Sequence, residues 1–373
     1  MLRPQSPDAR RLHVVHLCSN LREGGAEALV RALAPQLLTE GVDVTLVSVY
    51  GSRLTESDRR EIGVPIVEIG RRKRGDYGYF PRLVKTLRSL RPDVVHAHLH
   101  LGKYAGRLAA IAARVPAIVF TEHGDETGGR LRAAINRVLH PLTARFIVFT
   151  EAQRTAFGAS QHVAADRIRV IPNGIPPFQE TADRASLREE LGIPLDAFAL
   201  FLPARLAHQK NQRLAISALA QSSVERLHLV LAGDGPDADA LRQHARDEGV
   251  IERIRFLGYR TDIRRIGRAM DAFVMSSLWE RMPLALGEAM IDGLPVISTP
   301  WDGARDFITD GETGYLSADF SARALAQAFD RVASEDVQRA QIREQARGYA
   351  MERFDIRRTA RAHADLYREV SAR

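Results

Sequence analysis

Cysteine is all but missing from this chain: 373 residues carry one, Cys18. A lone thiol cannot build a disulfide framework, which excludes a stapled secreted module and fits a reducing compartment. Cys18 itself sits in the apolar run LHVVHLC, where a thiol acts as a small buried hydrophobe. Long apolar stretches are missing as well. No run approaches the ~18 residues that a membrane-spanning helix needs. The opening MLRPQSPDARR has no apolar segment ahead of its charges, so it does not read as a secretory signal, and its first ten residues are expected to fray. No GxGxxG occurs, which removes the fingerprint of a nicotinamide-dinucleotide fold. Internal repeats and low-complexity tracts are not seen either.

What is present is ordinary globular chemistry, 45% hydrophobic and 27% charged, in a chain long enough for two cores. Charge is placed unevenly within the net +7. Residues 1–175 hold 26 Lys and Arg against 16 Asp and Glu, and the remainder holds 27 against 30. A basic amino-terminal half suggests an acidic partner surface, with an Arg-rich composition on solvated helix faces as the plainer and equally weighted reading. No nucleic-acid recognition motif accompanies the charge, so an anionic lipid surface is the expected partner. The segment RRKRGDYGYFPRLVKTLRSLR is its most basic part: Arg71, Arg72, Lys73 and Arg74 lead into a helix bearing Arg82, Lys85, Arg88 and Arg91. Tyr77, Tyr79 and Phe80 beside that cluster suit a headgroup region.

Apolar runs alternate with helical stripes along the whole chain. Strands are expected at Leu12–Ser19, Val42–Val49, Ile66–Ile69, Asp93–His98, Ala117–Thr121, Phe146–Phe149 and Ile168–Ile171. A basic amphipathic helix is expected over 130–145. IPNGIPPFQE, with three prolines and a glycine, has linker chemistry. Beyond it the alternation restarts, with strands near Ala199–Leu202, Leu227–Ala232, Ile254–Leu257, Asp271–Met275 and Pro295–Thr299. The pattern predicts two doubly wound, Rossmann-like α/β domains facing a central cleft, over 1–175 and 176–352. Residues 353–373 are expected to return as a final helix to the amino-terminal domain and bury Phe354, Ala360, Leu366 and Tyr367.

Candidate chemistry collects where strands end. Gly24 and Gly25 open the first helix, where backbone N–H groups approach a phosphate closely, although a double glycine is more often a tight turn. His96, His98 and His100 alternate, so an extended chain would put them on one face. No cysteine or carboxylate joins them at ligand spacing, and they read as polar groups at a sheet edge and not as a metal site. His123, in TEHGD, stands at another such edge. Arg205 and Lys210 share a loop leading into a helix, the placement of a diphosphate clamp. AGDGP with Gly233 and FLGY with Tyr259 mark equivalent loops.

The densest stretch is DAFVMSSLWERMPLALGEAMIDGLPVIST, which reads strand, loop, helix, turn, strand. Pro283 stands at the helix start, where its missing N–H costs nothing. The helix N-terminus, near Met282, Pro283 and Leu284, suits an anion. Glu280 in the loop and Glu288 two turns on can accept hydrogen bonds from sugar and ribose hydroxyls. Two exposed glutamates are the plainer reading.

This stretch resembles the Glu-x7-Glu donor motif of the retaining GT-B glycosyltransferases of family 4. The resemblance continues through GGAE, VVHAH, TEHG, IPNGI, Arg205 with Lys210, AGDGP and FLGY, in family order and over nearly the whole chain. It implies a GT-B fold and transfer of a sugar from a UDP-, GDP- or ADP-sugar with retention at the anomeric carbon. The implied roles are Arg205 and Lys210 at the diphosphate, Glu280 at the donor sugar, Glu288 at the ribose and His123 beside the sugar. It implies no covalent nucleophile, no cofactor and no catalytic metal. The expected acceptor is a glycan or lipid-linked precursor, reached from the cytoplasmic face of a membrane. Two departures stand out. Arg281 replaces the usual glycine after Glu280, and Asp306 stands where a glutamate is common. A sugar-nucleotide epimerase fits the motifs poorly. A non-catalytic sugar-nucleotide-binding scaffold, with Arg281 as its mark, is the reading from another class.

Overall fold

The computed structural model describes residues 10–21, 25–51, 54–71, 75–123, 130–178, 182–280 and 283–372. Two compact units divide the chain: Met1–Pro176 together with Phe354–Arg373, and Pro177–Arg353.

Unit 1 is built on seven parallel strands among the described residues: β1 (Leu12–Cys18), β2 (Val42–Ser48), β3 (Ile66–Glu68), β4 (Val94–His98), β5 (Ala117–Thr121), β6 (Arg145–Val148) and β7 (Ile168–Val170). They pair in the order β3-β2-β1-β4-β5-β6-β7, so the direction of winding reverses between β1 and β4. Most central-strand residues are buried, as expected where helices cover both faces of a sheet. Val14, Val44, Val94, Val119 and Ile147 pack on one face, and Val15, Val47, Val95 and Ile118 on the other.

The final helix, Ile356–Ser371, belongs to this unit. Asp355 caps it by accepting from the Arg357 N–H. Its stripe of Ile356, Ala360, Ala364, Tyr367 and Val370 lies in one cluster with Leu29, Leu33 and Val94. It packs against β1, β4 and the helix Gly25–Thr39. Each fully buried Ile or Val there contributes about 1.5–3 kcal/mol. The Pro-rich segment receives this helix directly: Ile175 N donates to Phe354 O at 2.7 Å. A Cβ on Gly174 would lie 2.6 Å from Ile356 Cα, so the glycine is required by the close approach of two backbones.

Unit 2 repeats the plan with six parallel strands: β8 (Phe198–Pro203), β9 (Leu227–Ala232), β10 (Ile254–Gly258), β11 (Ala272–Met275), β12 (Val296–Ser298) and β13 (Tyr315–Leu316). Their order is β10-β9-β8-β11-β12-β13, reversing between β8 and β11.

Three local expectations need correction. The basic helix ends at Leu139, not at 145, because Pro141 cannot continue it; Arg145 enters β6 and pairs with Glu369 of the final helix. The chain leaves the extended form at Leu99, so His100 sits in a helical turn and meets the Tyr104 ring instead of joining His96 and His98. Of the aromatics beside the basic cluster only Tyr77 is exposed, at 81%. Tyr79 is buried with the Arg71 guanidinium 4.4 Å from its ring centroid, and Phe80 packs on the core. Arg72, Lys73 and Arg74 lie outside the described residues.

Candidate functional site

In an open parallel sheet the loops on either side of the reversal splay apart, and ligands collect at the carboxyl ends of those two strands. In unit 2 the two loops are those following β8 and β11. They carry Arg205, Lys210 and Glu280.

Lys210 closes the short helix His208–Lys210 and is held by its neighbours. Its Nζ lies 2.5 Å from Glu280 Oε1, and the Ser277 hydroxyl donates to the same oxygen at 2.6 Å. The two loops are also joined through backbone: Leu278 N donates to Gln209 O at 2.9 Å, and Ser276 Oγ to Lys210 O at 2.7 Å. Glu280 is nearly buried and Lys210 three-quarters so, which lets this pair feel each other more than a surface pair does. Arg205 differs. It is exposed, and its guanidinium has no partner among the described residues. The site thus offers one neutralised cation and one open cation at the same edge.

The glycines of AGDGP hold this loop from behind. A Cβ on Gly233 would lie 2.0 Å from Ala204 O, and one on Gly235 would lie 2.1 Å from Leu206 O. Gly233 therefore sets the path of the Arg205 loop by letting two backbones touch. Tyr259, after β10, is 69% exposed. Pro283 caps the helix Leu284–Ile291, which begins at Leu284. Glu288 on that helix faces a small recess lined by Phe201, Pro203, Ile263, Arg264 and Ala289. Burial raises its carboxyl above the ordinary range, Arg264 opposes this and Asp292 adds to it. Gly24, Arg281 and Met282 lie outside the described residues, and Gly25 is the first residue of its helix.

In unit 1 the reversal falls between β1 and β4, and histidines occupy it. His16 of β1 and His96 and His98 of β4 are buried, joined by His363 and Tyr367 of the final helix. His123, just past β5, is partly buried, and its Nε2 lies 3.1 Å from His98 Nδ1. Burial, with repulsion from His363 adding to it, holds His16 down to about 3 and His123 down to about 4, and burial holds His363 down to about 4 against a hydrogen bond to the Thr359 carbonyl. It keeps His96 and His98 well below their ordinary value. All five are neutral at pH 7. Leu99 follows His98 with a left-handed φ of 58°, and the chain then makes a π-helical turn, Gly102–Gly106. That conformation costs a side-chain-bearing residue roughly 1–2 kcal/mol and persists because its surroundings demand it. The turn buries Lys103, whose Nζ lies 2.6 Å from Glu122 Oε2, next to His123 in sequence.

Nitrogens of His16, His96 and His98 come within 4.8 Å of one another, the one such group among the described residues. Both nitrogens of each ring already have hydrogen-bond partners. The sequence points to His96, His98 and His123 and to Tyr367 only as a core residue, and it does not single out His16, His363 or the Lys103–Glu122 pair. Two signals were available: a histidine inside the apolar strand LHVVHLC, and His363 and Tyr367 one helical turn apart on a buried stripe.

The family described as Glycosyl transferases group 1 matches residues 183–349, and that described as Glycosyltransferase Family 4 matches residues 23–177. Over 250 residues the chain is 32% identical to the UDP-Gal:alpha-D-GlcNAc-diphosphoundecaprenol alpha-1,3-galactosyltransferase of Escherichia coli, a match covering 63% of this chain and 64% of that enzyme. It is 33% identical over 178 residues to the lipopolysaccharide core biosynthesis glycosyltransferase LpsE of Rhizobium meliloti, covering 48% and 51%. In fold it is similar to HepE of Anabaena, solved with UDP and glucose, at a TM-score of 0.83 and 22% identity over 96% of this chain and all of that one. With two parallel-sheet units, both family matches and these relatives together, the chain belongs to the GT-B glycosyltransferases of family 4.

Proposed function

We propose that the protein is a retaining, metal-independent glycosyltransferase that moves a hexose from a nucleotide-sugar to a lipid-linked saccharide. The observation that carries this reading is the edge of unit 2, where Arg205 stands open beside the Lys210–Glu280 pair at the reversal of the sheet. A diphosphate is the ligand with the charge to engage both cations. Its arrival draws Lys210 from Glu280 and leaves that carboxylate to accept hydroxyls of the sugar. Glu288 accepts the ribose hydroxyls.

The bond from the anomeric carbon to the diphosphate oxygen breaks as the acceptor oxygen bonds to the same face, and the acceptor proton passes to the departing diphosphate. Charge builds on that diphosphate, so fixed cations there lower the barrier more than any other group. UDP is the favoured nucleotide, since the E. coli relative is named for UDP-Gal and HepE was solved with UDP. The same E. coli name supports a diphospho-polyprenol-linked acceptor, and the basic unit 1 suits the membrane surface where such lipids lie.

The test is a panel of UDP-, GDP- and ADP-sugars, assayed for binding and for hydrolysis with a chelator present. Binding of one nucleotide class, weakened about 100-fold by Lys210→Ala, supports the reading. Uniform absence of binding, or turnover only with added divalent metal, removes it.

A further inference from the structure

Five hydrogen bonds run in series through the buried cluster of unit 1. Thr121 Oγ1 lies 2.6 Å from His96 Nε2, and His96 Nδ1 lies 2.6 Å from Tyr367 Oη. Tyr367 Oη lies 3.2 Å from His16 Nε2, and His16 Nδ1 lies 3.0 Å from His98 Nε2. His98 Nδ1 then lies 3.1 Å from His123 Nε2. A neutral imidazole has one N–H and one lone pair, and a phenol has one proton. A phenol oxygen can also accept from both neighbours, but Tyr367 is buried and its hydroxyl meets only His96 and His16 among the described residues, so that arrangement would strand its proton. With the phenol proton placed in the series, one direction dictates every other, and two arrangements remain, opposite in polarity.

The Thr121 end chooses between them. Its hydroxyl is buried, and its oxygen meets no side-chain partner but His96 among the described residues. If His96 donated to it, the threonine proton would be left in the core without an acceptor. A buried donor without a partner costs about 1–3 kcal/mol. Thr121 therefore donates to His96, His96 to Tyr367, Tyr367 to His16, His16 to His98 and His98 to His123. At the far end, His123 receives at Nε2 and must carry its proton at Nδ1.

We propose that Tyr367 and Thr121 are positioning residues that, through His96, His16 and His98, lock His123 as its Nδ1–H tautomer and make it a hydrogen-bond donor to a substrate oxygen. The neutrality of the imidazoles, which burial enforces, is what the series requires. A histidine so locked cannot take a proton at Nδ1. The assignment stands on unit 1 alone. Its consequence, that His123 donates to the substrate and is not the base that deprotonates the acceptor, rests on the transferase reading above.

The test is long-range proton–nitrogen NMR of the full chain with 15N-labelled histidine at pH 7.5, with no substrate present. The expected result is one His123 tautomer, protonated at Nδ1, in the wild type and in Thr121→Ser, which keeps the hydroxyl. Tyr367→Phe and Thr121→Val each remove a hydroxyl of the series and should give His123 mixed tautomers. Two hydroxyl variants at separate sites keep the test intact if one of them does not fold. An Nε2–H His123 in the wild type overturns the proposal, as does an unchanged tautomer in both hydroxyl-removing variants. A zinc titration is the last arm: stoichiometric zinc that shifts the His16 and His98 nitrogens would make the cluster a metal site and also overturn it. Because no donor or acceptor is used, a failed sugar-transfer assay leaves this result readable.

Discussion

Glu288 and the five histidines are titrating groups that burial shifts, and at the scale of single residues they answer pH differently. Glu288 is raised above the ordinary carboxylate range, so the ionised form that can accept two ribose hydroxyls is lost earlier than in an exposed glutamate. Nucleotide affinity should therefore weaken on acidification at a higher pH than an exposed glutamate would cause, and Glu288→Gln should abolish that dependence. Calorimetric titrations of nucleotide at a series of pH values decide it; the same acid limb in the variant would assign the titration elsewhere. The histidines are depressed, to about 3 for His16 and about 4 for His123 and His363. Unfolded imidazoles titrate near 6.5, so below that pH the unfolded chain binds protons that the folded one refuses. Each contributes a loss of up to about 1.4 kcal/mol per pH unit as pH falls. The loss begins near pH 6.5 and ends as each folded value is passed. Urea denaturation at pH 7.5 and at 5.5 should show a drop equivalent to uptake of more than one proton, and His363→Gln should reduce it. Equal stability at the two values would mean that the cluster is charged or open to water.

Among the elements, the meeting of the Pro-rich segment with the final helix is the most demanding fit. A methyl on Gly174 has no room beside Ile356 Cα, so Gly174→Ala must push the helix out of its seat on β1 and β4. Overpacking of this kind costs about 1–3 kcal/mol, and because a backbone atom blocks the way the upper end is expected. Thermal unfolding of the variant measures it, and a fall in Tm of less than about 2 °C would show that the helix end yields. NG in a proline-rich stretch reads as a linker, and nothing local says that a helix 180 residues later needs the space. Strands were legible where apolar runs are bounded by turn residues, as in Leu227–Ala232 and Val296–Ser298. The two-residue β13 was not, since Tyr315 and Leu316 make no run at all. The Lys210–Glu280 pair was legible because both residues sit in loops that follow predicted strands, as Arg205 does. The histidine series was not, because His16 and Tyr367 are brought together only by the return of the chain.

Taken whole, the molecule carries its excess positive charge on unit 1. None of the helices searched among the described residues is long and apolar enough to cross a membrane. Val138 and Leu142 are exposed beside Arg137, the combination of apolar and basic side chains that an anionic headgroup region would accept. Sedimentation with vesicles should show binding to anionic but not to zwitterionic lipid. That binding should fall steeply between about 0.05 and 0.5 M salt, as screening shortens the reach of each charge. Equal binding to both lipids, or none at low salt, would remove the membrane from the account. The connectivity has another result, for how the protein is made. Unit 2 is encoded without interruption, whereas unit 1 is begun first and finished last. A nascent chain that has emerged as far as residue 353 holds everything unit 2 needs, while β1 and β4 still lack the helix that covers His16 and His96. Order of synthesis and order of completion are inverted, and the exposed sheet of the older unit is the surface that chaperones should find during translation.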